Sequence, residues 1–180
     1  MIELLQEIED VPGAYPAIPK SVTDVLGFRG NLDDIWRRIE AYTHTRWTSR
    51  IVVWVVSGEG EWVPPLGPVN SIAAEEWDGA AYQPASPAPG PLGGHCLTGG
   101  AYRFTASVGG GTVPPEVNKA FSRFALYCLH DANHPELLSA NSVTLSEGGE
   151  YTRSESYTRP HTWIAKAMQN SGAADLLRPW

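Results

Sequence analysis

The chain has 180 residues, enough to bury a core without help from metals or disulfides. Its net charge of -7 and isoelectric point near 5.2 argue against tight binding to nucleic acid, because proteins that grip phosphates carry basic patches. The local basic groups, Arg37-Arg38 and Arg46 to Arg50, have ordinary interpretations as helix-surface or strand-surface residues. An acidic surface does allow nucleic acid to pass without sticking.

The cysteine content and the apolar runs set further limits. Cys96 and Cys128 are the only cysteines, which predicts neither a disulfide framework nor a thiolate zinc site. No apolar run approaches membrane-spanning length, and the acidic first residues do not resemble a signal peptide. We therefore expect a soluble protein, made in a cytoplasm, that has no membrane partner.

Helical patterns dominate residues 1–46. The apolar residues of "MIELLQEIED" recur at helical spacing, and a proline-rich stretch then ends this first predicted helix. A second helix is predicted over "NLDDIWRRIEAYTHTR", where Asn31 is placed as the N-cap and Asp33 and Asp34 favour the positive end of the helix dipole. One stripe of this helix is apolar: Leu32, Ile35, Trp36, Ile39 and Tyr42.

Residues 47–110 have the character of an antiparallel β region. "IVVWVV" at 51–56 is apolar at every position, which indicates a central strand or one covered on both faces. Asp78-Gly79 predicts a tight hairpin, and "AYRFTASV" at 101–108 alternates as a last strand. A loop rich in proline and glycine is expected over 83–94.

The stretch "VGGGTVPPEVNKAFSRFALYCLH" predicts an abrupt change from strand to helix. Its glycines permit a sharp reversal, and Pro114 and Pro115 suit the first turn of a helix. The helix that follows is apolar over most of its circumference, so it needs cover on most sides. Neighbouring subunits are one source of that cover, which makes Phe121 and Phe124 candidate interface residues.

The remaining chain is predicted to contain a loop, a last helix and a tail. Residues 135–159 are polar over a length typical of functional or partner-ordered loops. Pro160 opens the predicted last helix, Gly172 is placed to end it, and "AADLLRPW" forms the tail.

The fold class predicted is α+β, a small helical bundle domain split by an inserted antiparallel β subdomain. Its parts are 1–46, 47–110 and 111–180, which together form one composite domain.

No convincing catalytic, cofactor or metal site is visible in the sequence. His130 and His134 have the spacing of zinc ligands on one helical face, with Asp131 where a metalloprotease carries glutamate. However, Asn133 and Pro135 suggest that the helix ends there, and no third ligand presents itself. A small zinc-dependent hydrolase is kept as an alternative hypothesis, and we expect a protein that is not an enzyme.

The tryptophans are the more informative side chains. Trp62, beside a Pro-Pro turn, and Trp180 are candidate exposed anchors of the kind that protein interfaces use. An equally supported interpretation folds Trp62 back onto the β region. A further alternative is a carbohydrate- or peptide-binding β module with helical additions.

Four stretches together resemble the head–tail connector, or adaptor, proteins of long-tailed double-stranded-DNA bacteriophages and gene transfer agents. They are "IEAYTHTRWTSRIVVWVV", "WVPPLGPVNSI", "YRFTASVGGGTVPPEVNKAFSRFALYCLHDAN" and "SESYTRPHTWIAKAMQNSGAADLLRPW". The shared order is a helix that steps into a strand, a proline-marked turn, a glycine turn into a long helix, and a last helix with a Leu-Leu-Arg tail. The resemblance covers about residues 31–180, and the proline-broken segment 9–20 departs from it.

The resemblance implies a structural virion protein at the neck, assembled in the host cytoplasm. Such proteins form homo-oligomeric rings, commonly of twelve copies, between the portal protein and the next head-completion or tail-stopper protein. Double-stranded DNA passes through the ring without specific binding. The C-terminal segment of such proteins often contacts the portal, which adds Leu176, Leu177 and Arg178 to the candidate interface residues.

Overall fold

A computed structural model describes residues 1–23, 32–133, 141–147, 151–157 and 163–180. These residues form both strands and helices. In chain order the elements are β1 (Glu3–Glu9), α1 (Lys20–Thr23), α2 (Leu32–Thr43), β2 (Arg50–Trp62), β3 (Val69–Trp77), β4 (Tyr82–Ala85), β5 (Ala88–Pro89), β6 (His95–Val108), α3 (Pro115–Asn133), β7 (Asn141–Glu147), β8 (Tyr151–Tyr157), α4 (Trp163–Asn170) and α5 (Ala173–Leu177).

The predicted α+β class is confirmed by a mixture of helices with an antiparallel sheet. The sheet has the strand order β1-β2-β6-β3-β4, and β5 pairs with β6 at one end. The "IVVWVV" stretch lies in β2 between two neighbours, as its apolar pattern predicts. That the helices form a bundle split by an inserted β subdomain stays a prediction.

The prediction of a helix at the start of the chain is wrong. Residues Glu3–Glu9 form strand β1, which pairs antiparallel with β2 from Glu3↔Ser57 to Glu9↔Val52. The physical reason is tertiary: β2 offers a row of backbone donors and acceptors on this side, and β1 satisfies them. A weak local helical preference does not outweigh that pairing.

One face of the sheet carries the apolar core of this part of the chain. Alternate residues of β2 and β6 point into it, and Leu66 of the segment between β2 and β3 joins them. The buried members are Val52, Trp54, Val56, Trp62, Leu66, Leu97, Tyr102, Phe104, Ala106 and Val108.

The chain divides into two compact units. The sheet unit comprises residues 1–16, 40–113 and 180, and the helical unit comprises residues 17–39 and 114–179. In the helical unit, Trp36 of α2 packs against Phe121 of α3 with ring centroids 4.6 Å apart. Among the described residues of this unit, the other buried apolar side chains are Val22, Ile35, Ile39, Val117, Ala120, Phe124, Ala125, Ala167, Ala173, Ala174 and Leu177.

The predicted turns between strands and helices are confirmed. Gly109, Gly110 and Gly111 have φ values of 92°, 98° and 98°, a backbone region that only glycine adopts freely, and helix α3 then begins at Pro115. Asp78-Gly79 lies in the loop that joins β3 to β4, where Trp77 pairs with Tyr82. Within the predicted loop 83–94, short strand segments form at Tyr82–Ala85 and Ala88–Pro89.

The prediction of a loop over residues 135–159 is wrong for the part that the structure describes. Strands β7 and β8 pair antiparallel along their whole length, from Asn141↔Tyr157 to Glu147↔Tyr151. The last predicted helix is confirmed at Trp163–Asn170, whereas Asn31 and Pro160 lie outside the described residues. None of the helices described is both long and apolar enough to cross a membrane.

Candidate assembly surface

Trp62 is buried, so the interpretation as an exposed anchor is wrong. Its side chain is 7% exposed and stacks on Phe104 with ring centroids 4.2 Å apart. Trp54 meets it edge to face at 5.6 Å. The alternative, in which Trp62 folds back onto the β region, is what the structure contains, because packing against two aromatic rings removes a large apolar surface from water.

The candidate interface residues of the helical unit are mostly buried within it. Phe121, Phe124 and Leu177 are almost inaccessible to solvent, and Leu176 is half-buried. Arg178 is exposed and forms an ion pair with Asp175 at 3.0 Å. Of this set, Arg178 offers the most accessible side chain to a partner, while the two phenylalanines form the core of their own unit.

Trp180 is exposed, as predicted. Its side chain is 45% accessible, and its ring meets the buried ring of Trp47 edge to face at 5.6 Å. An aromatic side chain that is half accessible and fixed by another ring is well suited to contact a partner.

The zinc hypothesis falls largely outside the described residues. His130 and Asp131 lie in the last turn of α3, which ends at Asn133, and His134 is not among the described residues. Within the part of the chain that the structure describes, no three His, Cys, Asp or Glu side chains come together to hold a metal ion.

Strand β1, at the edge of the sheet, carries several exposed aliphatic side chains. Leu4, Leu5 and Ile8 are 46%, 53% and 50% exposed, and Ile51 of β2 and Val11 are also exposed. Beyond β1 the sheet has no further strand among the described residues. An edge strand of seven residues with exposed aliphatic side chains is a template for pairing with another chain.

The opposite edge of the sheet does not share these properties. Strand β4 has four residues and contains Pro84, which has no amide hydrogen to donate. In the loop that precedes β4, Asp78 accepts hydrogen bonds from the amides of Ala81 and Ala80, both 2.8 Å long. These bonds hold the pKa of Asp78 below its ordinary value. The two edges therefore differ in length, in proline content and in apolar exposure.

Strand β1 is fixed to β2 by more than its ladder. The indole nitrogen of Trp54 donates to Glu7 at 3.2 Å, and the N-terminal ammonium group of Met1 lies 3.5 Å from the carbonyl of Glu59. Gly58 has a φ of 125°, and a Cβ atom there would collide with the carbonyl oxygen of Met1. Close approach of the two backbones at this point therefore depends on glycine.

An ionic cluster holds the far end of β1. Glu9 accepts hydrogen bonds from Nε and Nη2 of Arg46 at 2.6 and 2.7 Å, and from Nη1 of Arg50 at 2.8 Å. Arg50 also donates to Glu40 at 2.9 Å, and the same oxygen of Glu40 accepts from the amide of Trp47 at 2.9 Å. Arg46 donates in addition to the backbone carbonyl of Glu40 at 2.8 Å.

The ordinary surface interpretation of Arg46 and Arg50 is therefore wrong. Both side chains are buried because two glutamates and several backbone groups satisfy their donors. Burial alone would raise the pKa of Glu9, but the hydrogen bonds and charges of Arg46 and Arg50 outweigh it and hold that pKa below its ordinary value. Although burial alone would lower the pKa of Arg46, its bonds to Glu9 raise that pKa.

The charge of the protein is concentrated in one unit. By sequence, the sheet unit has ten acidic and three basic side chains, a net charge of -7, while the helical unit has ten of each. All three arginines of the sheet unit bind glutamates of that unit: Arg46 and Arg50 as described, and Arg103 with Glu75 at 2.6 Å. Seven acidic side chains are then left without an arginine or lysine of their own unit.

A shallow cleft of about 590 Å³ also lies on the sheet unit. Thr43, His44, Pro64, Pro65 and His95 are among the residues that line it. The cleft is wide open to solvent, and its lining combines two histidines and two threonines with apolar residues, so it offers a concavity in which a ligand could bind.

Sequence reasoning did not find the β1 surface or the ionic cluster. A signal for β1 was present, because Ile2, Leu4 and Ile8 alternate with charged residues at a period of two as well as matching helical spacing. No local sequence pattern predicts that Glu9 and Glu40, which are far apart in the sequence, bind the same arginine.

The chain matches no known protein-family profile and no curated protein. Among solved structures it is similar to a chain from the neck of a native gene transfer agent particle computed with C12 symmetry, at 15% identity and a TM-score of 0.43 over 78% of both chains. A chain from the virion of a native gene transfer agent particle is 16% identical, with a TM-score of 0.48 over 94% of both chains. A chain from the neck of an empty particle, computed with C6 symmetry, is 15% identical with a TM-score of 0.48, over 95% of this chain and 94% of that one.

Proposed function

We propose that this chain is a structural, non-enzymatic virion protein, a head–tail connector of a long-tailed bacteriophage or gene transfer agent. In this proposal, copies assemble at the neck into a homo-oligomeric ring, commonly of twelve, after synthesis in the host cytoplasm. The ring lies between the portal protein and the next head-completion or tail-stopper protein, and double-stranded DNA passes through it.

The observation that carries the proposal is the open edge of strand β1. Its aliphatic side chains are exposed, and the strand is held in place by the ionic cluster of Glu9, Glu40, Arg46 and Arg50. A soluble protein that functions alone usually protects such an edge with charges, proline, a bulge or a covering loop, whereas a subunit uses it to bind a neighbour. An assembly role explains this surface without requiring a reaction.

The distribution of charge supports a ring through which DNA passes. Every arginine of the sheet unit already binds a glutamate and is therefore not free to bind a DNA phosphate. The unit also has a net charge of -7. A surface of this kind repels the phosphate backbone and does not retain the duplex. The sequence resemblance to connector proteins points to the same kind of assembly.

Electron microscopy of intact particles tests the location. We expect a tagged chain to appear as a ring at the neck, and particles that lack the chain to consist of DNA-filled heads without attached tails. A tag found in the capsid shell or at the tail tip would contradict the proposal.

A ligand-binding β module is the second candidate, because the cleft beside His44 and His95 gives it a location. Titration calorimetry with oligosaccharides and with proline-rich peptides tests it. Binding that His44→Ala abolishes, by a chain absent from particles, would favour this candidate over the connector.

A further inference from the structure

Among the described residues, two parts of the molecule have strand edges that pair with no further strand. One is the open edge of β1 in the sheet unit. The other is the β7–β8 hairpin, whose strands pair only with each other among the described strands and therefore form a separate two-stranded sheet. An isolated hairpin of this kind is marginally stable in water, and a third strand gives it the backbone partners that it lacks.

We infer that strand β8 of one copy pairs with strand β1 of a second copy, so that the sheet of each subunit is extended by its neighbour. The inference rests on the proposed function, since a ring requires one surface of each subunit to bind a different surface of the next. It names the two surfaces: Glu3–Glu9 on one side and Tyr151–Tyr157 on the other.

Charge selects β8 over the other free strands. Strand β1 carries Glu3, Glu7 and Glu9 and no basic residue, so pairing of two β1 strands would bring glutamates together. Strands β4, β5 and β7 contain no basic residue either. Strand β8 contains Arg153, and among the described strands with a free edge it is the one with a cation.

Length and sequence also select the direction of pairing. Both strands have seven residues, and full antiparallel overlap of the two places Arg153 opposite Glu7 and Glu155 opposite Leu5. Full parallel overlap would instead bring Glu155 alongside Glu7. Because like charges across a ladder destabilise it and opposite charges stabilise it, the antiparallel register is the one we assign.

Disulfide trapping tests the register directly. In the antiparallel register Gln6 lies opposite Ser154, at a Cα separation that a disulfide can span. The full-length variants Gln6→Cys and Ser154→Cys, each with Cys96→Ser and Cys128→Ser and each with a different mass tag, are mixed and oxidised. The matched control replaces Gln6→Cys by Gln83→Cys, on the opposite sheet edge.

We expect the mixed disulfide of the Gln6→Cys and Ser154→Cys chains to exceed the control by roughly tenfold or more, because docking raises the local thiol concentration. A yield no higher than the control overturns the inference, and so does a chain that stays monomeric up to its solubility limit. In the double variant Gln6→Cys/Ser154→Cys, a bond within one chain also overturns it, whereas a ladder of linked chains supports it.

Circular dichroism of each variant shows whether it has folded, and amide exchange provides a readout that needs no cysteine. Association of the unmodified protein should slow exchange of the β1 amides and leave the β4 amides unchanged. Imaging of particles and the trapping experiment together separate the two proposals. If the chain forms a ring at the neck but the disulfide does not form, the strand pairing alone is refuted. If the chain is absent from the neck, the connector role is refuted.

Discussion

The sheet unit and the helical unit are stabilised in different ways. The sheet unit has a net charge of -7 and fixes its first strand through two buried arginines that bind the partly buried Glu9. The helical unit has no net charge by sequence and centres on Trp36 and Phe121. Apolar packing does not depend on the protonation of side chains and is little affected by the screening of charges, whereas ion pairs depend on the protonation of every member. The comparison therefore predicts that conditions as well as mutations will affect the two units differently.

The two units also differ in the apolar side chains that are accessible to a partner. The predicted interface residues of the helical unit are mostly consumed by its own core, as Phe121 and Phe124 show. The sheet unit keeps its aliphatic side chains at an open edge, where Leu5 and Ile8 are accessible. A chain that assembles would thus associate through an edge of backbone groups as much as through apolar side chains.

Truncation of Phe121 should have the largest effect on stability. Phe121→Ala leaves a cavity against Trp36 and should lower the free energy of unfolding by about 4 kcal/mol. Denaturant titrations at low and at high salt measure it, and the loss should be the same at both. Phe121→Leu is the control and should lose less than half as much, whereas a loss that changes strongly with salt would break the comparison.

Removal of the Glu40 carboxylate tests the ionic side of the comparison. Glu40→Ala leaves the guanidinium of Arg50 and the amide of Trp47 without this acceptor and should cost about 3 kcal/mol. Glu40→Gln keeps an oxygen acceptor and removes only the charge, so its loss should be clearly smaller. Equal losses for the two variants would show that the charge contributes everything and the hydrogen bonds nothing.

Substitution of Gly58 tests how β1 is attached. Gly58→Ala should cost about 2 kcal/mol, because the new Cβ meets the carbonyl of Met1 in addition to the unfavourable backbone angle. Gly60 is a matched control with the same φ of 125°, but a Cβ there would meet only the side chain of Ile2 at 3.8 Å. Amide exchange should accelerate in β1 for Gly58→Ala only, and acceleration in both variants would remove the steric explanation.

The sequence was sufficient where local pattern and tertiary environment agree. Strand β2, the turn at Gly109–Gly111 and helix α3 all follow from side-chain type and spacing. It was insufficient for β1, where two periods fit the same residues and the decision lies with the free edge of β2. Trp62 shows the same limit, because its burial depends on Phe104, a residue distant in sequence.

The ionic cluster shows why the candidate surface was harder to predict than the fold. Arg46 and Arg50 look like surface residues, since charged side chains are seldom buried without a partner. Their partners, Glu9 and Glu40, come from the first strand and from a helix, so the cluster exists only once the chain has folded. Long-range charge pairs of this kind have no local signature in one sequence.

The smallest predicted effect is a dependence on pH at Glu9. Its pKa in the folded protein is held below the value of about 4.3 expected in the unfolded chain, so the carboxylate stabilises the fold above that pH, and the contribution disappears as the pH falls through the folded value. Unfolding free energies measured from neutral pH down to the acid limit should fall less steeply for Glu9→Gln than for the unmodified protein. Glu75→Gln is the comparison, because a hydrogen bond from Arg103 also lowers the pKa of Glu75, in a pair that is more accessible to water than the Glu9 cluster. It should change the acid slope less than Glu9→Gln does, because water screens the more accessible pair. If the two variants change the slope equally, the buried cluster contributes no more than a surface ion pair, and the contrast between the two units would rest on charge count alone.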